Sequence, residues 1–202
     1  MCCNDKYLNE LKAINNLFDY LNKAFFESAL SKPVITIQAN KTPNVLGWCT
    51  GYDAWVSGEE KSPEINMSAD YLDREPINKS ETLLHEMCHL YAYQNNIKDC
   101  SRAGNYHNKQ YKDIAESHGL TVEKSAKGGW NMTALTDKSK AIITPYVDNL
   151  QVLKRISPLK TSTTKNSSTR KYICMHCGMT VRATKEVNII CGDCDETMVL
   201  DE

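Results

Sequence analysis

The sequence of 202 residues contains no apolar run of about 18–20 residues, the length that a membrane-spanning helix needs. It also lacks a basic segment followed by an apolar stretch at its start, so we expect no secretory signal and a cytoplasmic location. The hydrophobic fraction of 41% and the charged fraction of 24% are typical of a folded soluble protein. They argue against a collagen-like, coiled-coil or wholly disordered chain.

Matched cysteine spacing is missing from most of the chain. Five of the nine cysteines are scattered and odd in number, namely Cys2, Cys3, Cys49, Cys88 and Cys100. This pattern argues against a disulfide framework, and we expect these thiols to be reduced. The other four form two Cys-x-x-Cys pairs separated by 13 residues, namely Cys174, Cys177, Cys191 and Cys194. Two such pairs at this spacing indicate a zinc site.

Charge is distributed unevenly, although the net charge is only -1. Residues 151–185 contain eight basic residues and no acidic one, whereas the last 17 residues contain six acidic residues and no basic one. A basic segment attracts a polyanion such as DNA, and an ordinary solvated linker is the alternative. Because residues 157–171 are nearly free of apolar groups, we predict a first domain over 1–154, a basic flexible linker over 155–171 and a small domain over 172–202.

Hydrophobic periodicity predicts both helices and short strands in the first 150 residues. A long amphipathic helix starts at Asn4 or Asp5, and four short strand candidates follow in a small, mainly antiparallel sheet: 34–37, 46–49, 52–56 and 64–67. A second helix follows Pro76, with Ser80 as its predicted cap, and runs to about 95 or 96. A third is predicted from about His107 to Ser117. The pattern over 135–153 does not distinguish strands from a short helix.

The predicted second helix carries His85-Glu86-Met87-Cys88-His89. Residues four apart lie on one helix face, so His85 and His89 can bind the same zinc ion. Glu86 lies about 100° around the turn, which suits a base that takes a proton from zinc-bound water. Peptide hydrolysis is the usual use of this arrangement. The alternative is two buried histidines in the core of an amphipathic helix.

A catalytic zinc needs a third protein ligand. The metzincin arrangement requires glycine at position 92 and histidine at position 95, and this chain has Ala92 and Asn95 instead. Three candidates follow, of which His107 is favoured because the bend at 104–106 can return it to the second helix. Glu116 is the second choice. His118 has another explanation, since a histidine at the end of a helix interacts favourably with the helix dipole.

The segments 81–89 and 105–111 resemble the SprT-like zinc metalloproteases, the family that includes bacterial SprT and Spartan. Weaker similarity extends over about residues 10–125, and the cysteine ribbon adds to it. The resemblance implies a zincin-like α+β fold in which His85, His89 and His107 bind zinc and Glu86 is the catalytic base. The Spartan branch cleaves proteins crosslinked to DNA, but this physiological role is not carried over to this chain. DNA-associated proteins are expected as targets because of the basic linker and the ribbon.

The four paired cysteines predict a second, structural zinc. Four thiolates close the coordination sphere, so no position is open for a substrate, and about 31 residues do not fold on apolar burial alone. The spacer has the length of a hairpin, with alternation over 180–182 and 185–189. A redox dithiol pair is the alternative, and His176 is expected to be exposed. DNA phosphates can be contacted by four basic side chains, namely Arg170, Lys171, Arg182 and Lys185.

The sequence thus predicts a zinc-dependent metallopeptidase with one catalytic and one structural zinc, a protein substrate, a DNA partner through the linker and ribbon, and no membrane association. The alternative is a non-catalytic zinc-containing module that binds nucleic acid or protein. A zinc hydrolase of non-peptide amides would use the same residues. Glu86 favours an enzyme, because a purely structural site has no use for a carboxylate beside the metal.

Overall fold

The computed structural model describes residues 2–40, 42, 44–102, 104–147, 153–156 and 169–201. The chain divides into two compact units, residues 1–157 and 158–202. Most of the predicted linker, with Lys160 and Lys165, lies outside the described residues, as do residues 148–152 of the ambiguous segment. The predicted domain boundaries therefore stay a prediction.

In its described residues the first unit combines four helices with small separate sheets, which confirms the α+β class. Its helices are α1 (Cys3–Phe25), α2 (Pro76–Gln94), α3 (Lys109–Ser117) and α4 (Asp137–Val147), with a 3-10 turn at Ala69–Tyr71. Its strands are β1 (Val34–Gln38), β2 (Gly47–Cys49), β3 (Trp55–Ser57), β4 (Glu60–Ser62), β5 (Glu64–Ser68), β6 (Cys100–Ser101), β7 (Tyr106–His107), β8 (Leu120–Ser125) and β9 (Gly129–Leu135). No helix among the described residues is long and apolar enough to cross a membrane.

The starts of the helices differ from the sequence predictions. Helix α1 begins at Cys3, before both predicted starting residues. The prediction of Ser80 as the cap of α2 was wrong, because the helix already begins at Pro76. Proline fits the first helical position because an N–H group there would have no partner within the helix. The Ser80 hydroxyl lies within the helix and donates to the Pro76 carbonyl oxygen at 2.9 Å.

Helix α3 begins two residues later than predicted. Asn108 is its cap, and the Asn108 side-chain oxygen accepts from the backbone N–H groups of Gln110 at 2.7 Å and Tyr111 at 3.2 Å. His107 therefore lies in β7 rather than in the helix.

The first sheet has the strand order β1-β5-β2. Strands β2 and β5 are antiparallel, but β1 and β5 are parallel, with Ile35 opposite Ile65. The sheet was expected to be mainly antiparallel, and this pair is parallel because residues 39–63 provide a connection long enough for a parallel crossover. Strands β3 and β4 form a separate hairpin.

The hydrophobic core of the first unit is formed by the apolar faces of the helices and the inner face of this sheet. Phe18 of α1, Leu84 of α2 and Ile65 of β5 are fully buried in it. A buried ion pair also joins the first two helices, with Lys79 Nζ 2.6 Å from Glu10 Oε1 and both side chains 6% exposed. Apolar packing and this ion pair together hold helix α2 and the histidines it carries.

The second sheet has the strand order β6-β7-β9-β8. Strands β6 and β7 form a short hairpin between α2 and α3, and β7 continues into a parallel pairing with β9, where His107 lies opposite Gly129. Of the ambiguous segment, Leu135 ends β9 and residues 137–147 form α4.

The second unit is built around its two cysteine pairs. It contains β10 (Arg170–Ile173), β11 (Thr180–Ala183), β12 (Ile190–Cys191), β13 (Glu196–Thr197) and β14 (Val199–Asp201), with the orders β11-β10-β14 and β12-β13. The predicted hairpin between 180–182 and 185–189 was wrong, because β11 pairs with β10 and residues 185–189 form no strand. Each Cys-x-x-Cys pair instead lies at the turn between two paired strands.

Candidate metal centre

Three histidines from two elements converge in the first unit. His85 and His89 lie one turn apart on α2, and His107 comes from β7. Their ligand atoms lie within 4.8 Å of one another, and Nε2 of His89 is 3.0 Å from Nε2 of His107. The structure therefore brings together the three histidines that the resemblance implies as zinc ligands.

The second sheet carries His107 to the helix. The backbone N–H of His107 donates to the Gly128 carbonyl oxygen at 2.9 Å. Gly129 has φ +72°, and a Cβ at that position would lie 2.2 Å from the carbonyl oxygen of His107. Only glycine allows β9 to approach β7 this closely. The sequence alone did not predict the contact of Gly129 with the third histidine.

The other two candidates for the third ligand lie elsewhere. Glu116 is exposed on α3, and Glu116 Oε2 accepts from Lys112 Nζ at 2.9 Å. His118 ends α3, where its ring stacks on Phe26 with a centroid distance of 4.2 Å and its Nδ1 lies 2.7 Å from the Ile114 carbonyl oxygen. Neither residue belongs to the three-histidine group.

Two residues that the sequence analysis missed contact the outer nitrogens of the helical histidines. Asp99 Oδ2 lies 2.5 Å from Nδ1 of His89, and Thr133 Oγ1 lies 2.9 Å from Nδ1 of His85. Among the described residues, the buried Nδ1 of His107 has no hydrogen-bond partner. No local pattern marks Asp99 or Thr133, since each reaches the site only through the path of the chain.

The electrostatics of the site suit a cation. Burial and the neighbouring histidines lower the pKa of His85 well below its usual value, and burial lowers that of His107 to about 4, so both rings are neutral, as metal ligands must be. Burial by itself would lower the pKa of His89. Hydrogen bonds to Asp99 and Cys100, with the negative charges of Glu86 and Asp99, outweigh it and raise the pKa to about 10. Positive charge is thus stabilised where the rings meet.

The geometry also fits zinc. With their Nδ1 atoms engaged by Thr133 and Asp99, His85 and His89 have Nε2 left as the ligand atom. Nitrogens about 2.0–2.1 Å from a tetrahedral ion lie about 3.3 Å apart, close to the 3.0 Å observed between the Nε2 atoms of His89 and His107. Two facing nitrogen lone pairs repel each other unless a cation or a proton lies between them. The donor set therefore fits a three-histidine zinc site.

Glu86 lies beside the histidines and is 6% exposed. Burial is the main reason that its pKa is raised to about 7, close to the value that favours a base at neutral pH. Gly47 of β2 leaves room for this carboxylate, since a Cβ at position 47 would lie 3.2 Å from Oε1 of Glu86 and 2.9 Å from the Asn66 carbonyl oxygen. The sequence analysis gave Gly47 no role of its own.

The histidines and Glu86 open into a cleft of about 630 Å³. One wall is β2, which is an edge strand of the first sheet, and another includes Asp99, Cys100, Gly104, Asn105 and His107. Of the tyrosines near the motif, Tyr111 is fully buried with its ring centroid 4.5 Å from those of His89 and His107. Tyr111 packs behind the site, and among the described residues its hydroxyl has no hydrogen-bond partner.

The two cysteine pairs meet in the second unit. The four sulfur atoms lie within 4.8 Å of one another, with Cys177 Sγ 3.7 Å from Cys191 Sγ. The backbone N–H groups of Cys177 and His176 lower the pKa of Cys174 to about 7, whereas hydrogen bonding to Cys177 raises that of Cys194 to about 12. Four thiolates this close repel one another unless a cation lies among them. The cluster fits the four-cysteine zinc site of a zinc ribbon.

Part of the basic segment is neutralised. Lys154 lies 3.2 Å from Asp73, and Arg155 contacts Asp70. Within the ribbon, Lys171 lies 2.5 Å from Asp201. Three further basic side chains are exposed in the described part of the segment, namely Arg170, Arg182 and Lys185.

The fold and the histidine group define a metallopeptidase-type domain of the zincin-like kind, and the comparison with known families agrees. A family model described as the SprT-like family matches residues 14–128, more than half of the chain. The chain therefore belongs to the SprT-like family, which confirms the resemblance seen in the sequence. No curated protein and no solved structure matches the chain.

Proposed function

We propose that the protein is a zinc-dependent metallopeptidase in which Glu86 is the general base. The observation that carries this proposal is the convergence of three imidazoles beside a buried carboxylate at the floor of an open cleft. A metal site with three protein ligands leaves a coordination position free, as catalytic zinc sites do. A structural site has no comparable use for the carboxylate.

In this proposal His85, His89 and His107 hold the ion through their Nε2 atoms. When bound, zinc supplies Lewis-acid chemistry that polarises the scissile carbonyl and lowers the pKa of water. Glu86 accepts the proton of the attacking water at its carboxylate and later donates it to the nitrogen of the leaving amine. Burial raises the pKa of the Glu86 carboxyl, which strengthens it as a base for this transfer.

The shape of the cleft favours an extended segment of a protein substrate. Strand β2 lies at the edge of the sheet and lines the cleft beside Glu86. An extended peptide can pair with the backbone of an edge strand, which would place a peptide bond next to the histidines. An unstructured protein such as casein is therefore a suitable first substrate.

The four-cysteine cluster is proposed to hold a second, structural zinc that stabilises the ribbon. We assign association with DNA or DNA-bound proteins to the basic segment, where Arg170, Arg182 and Lys185 are exposed. The same unit also carries five acidic residues, which weaken its attraction for phosphate, namely Glu186, Asp193, Asp195, Glu196 and Asp201. Contacts of this kind bind phosphate without reading base sequence.

The test of the catalytic proposal compares Glu86→Gln with Glu116→Gln. We expect Glu86→Gln to abolish cleavage of casein while zinc content stays at two ions per chain, since the amide cannot accept a proton. Glu116→Gln removes an exposed carboxylate outside the site and should cleave at the wild-type rate. Cleavage by the Glu86 variant at the rate of the control would remove Glu86 from the reaction.

A further inference from the structure

We infer that Asp99 is a positioning residue of the metal centre, which sets the tautomer and orientation of His89 for metal binding. This inference rests on the proposed zinc site. The Asp99 carboxylate lies 2.5 Å from Nδ1 of His89, and the two side chains are 17% and 16% exposed. Because a carboxylate only accepts hydrogen bonds, the proton of the neutral ring stays on Nδ1 and the Nε2 lone pair is free for the ion.

Asp99 is itself held by the residues that position His107. The Asp99 carbonyl oxygen accepts from the backbone N–H of Asn108 at 2.9 Å, and the Asn108 side-chain amide donates to the Lys98 carbonyl oxygen at 2.6 Å. In the β6–β7 hairpin, Cys100 lies opposite His107. The β6–β7 hairpin carries the third histidine, and Asp99 immediately precedes its first strand, so the positions of the two residues are linked.

The three histidines differ in what supports them. His89 has the charged partner Asp99, His85 has the neutral hydroxyl of Thr133, and Nδ1 of His107 has no partner in the described part of the chain. A carboxylate on the outer nitrogen makes an imidazole a stronger donor to a metal than a hydroxyl does. Loss of Asp99 should therefore weaken metal binding more than loss of Thr133.

The experiment measures metal affinity in the full chain with cobalt(II) as the probe. Thiolate ligation gives intense charge-transfer absorption that imidazole ligation lacks, so loading of the ribbon and of the histidine site is followed separately in one titration. The variants are Asp99→Ala, Asp99→Asn and Thr133→Ala, with Asp113→Ala as the control because Asp113 is exposed on α3.

We expect Asp99→Ala to weaken cobalt binding at the histidine site by about 10- to 100-fold, with the ribbon signal unchanged. Asp99→Asn keeps an acceptor oxygen, so its cobalt affinity should lie between those of Asp99→Ala and the wild type. Thr133→Ala should lose less cobalt affinity than Asp99→Ala. Affinity of Asp99→Ala equal to that of Asp113→Ala would overturn the inference. The inference would also be overturned if the loss of cobalt affinity in Asp99→Asn were fully explained by a lower stability of that variant without metal, as measured by urea unfolding.

The outcome is separable from that of the proposed function, because affinity and cleavage are measured independently. A wild-type protein that binds cobalt tightly at the histidines but cleaves no casein would remove the peptidase proposal and leave the role of Asp99 intact. Failure of the wild-type histidine site to bind any metal would remove both.

Discussion

The buried ion pair between α1 and α2 gives the sharpest prediction about stability. Lys79→Met removes the ammonium that lies 2.6 Å from Glu10 Oε1, while Glu10 remains 6% exposed. Leaving one member of a buried pair without its partner costs about 3–5 kcal/mol. At about 2–4 °C per kcal/mol for a domain of this size, the Tm of the first unit should fall by roughly 6–20 °C.

The matched control is an exposed lysine–carboxylate pair with the same separation. Lys32 Nζ also lies 2.6 Å from a carboxylate oxygen, that of Asp19, but these side chains are 42% and 55% exposed. Lys32→Met should therefore cost less than about 1 kcal/mol. Replacing both buried residues, Glu10→Leu with Lys79→Met, should recover most of the lost stability because no buried charge is left.

Tryptophan fluorescence is the assay, since Trp48, Trp55 and Trp130 all lie in the first unit and report its unfolding alone. If Lys79→Met and Lys32→Met lose the same stability, burial does not decide the strength of these pairs. The Glu10–Lys79 pair would then not be what anchors α2 to α1.

Two further predictions concern the cleft and the basic segment. Gly47→Ala should lower the rate of cleavage by about 100-fold and the stability of the first unit by about 1–3 kcal/mol, because the new Cβ meets Asn66 and Glu86. Gly51→Ala is the control and should be neutral, since nothing lies within 4 Å of a Cβ there. Equal cleavage rates of the two variants would contradict this prediction. Replacing Arg182 and Lys185 by alanine should reduce the slope of log K against log salt for duplex DNA by about 0.9 per lost contact. Lys154→Ala should change this slope less, because Lys154 already pairs with Asp73. If Lys154→Ala reduced the slope as much as the loss of Arg182 and Lys185 does, the assignment of DNA binding to the exposed basic side chains would be refuted.

Local patterns predicted those parts of the fold and site that depend on spacing along the chain. Helical periodicity places His85 and His89 on one face, and the Cys-x-x-Cys spacing places two sulfur atoms in each turn. His107 was predicted as the third ligand because a bend in the chain can return it to α2, yet it lies in a strand and not at the start of a helix. The ligand roles of these residues remain predictions.

The remaining features depend on contacts between distant segments, so the sequence alone did not predict them. Asp99 and Thr133 meet the histidines only because β6, β7 and β9 form one sheet beside α2. Gly47 is explained by the distance between β2 and Glu86. The parallel pairing of β1 with β5 depends on the route of the intervening chain, which propensity does not encode.

The most direct test is X-ray absorption at the zinc edge on a chain with Cys191→Ser and Cys194→Ser, combined with its zinc content. These changes remove two of the four sulfur ligands and leave the histidines untouched. We predict that one zinc per chain remains, coordinated by three imidazole nitrogens at about 2.0–2.1 Å with no sulfur ligand. A chain without zinc, or one whose remaining zinc has sulfur ligands, would contradict the proposal that His85, His89 and His107 form a metal site.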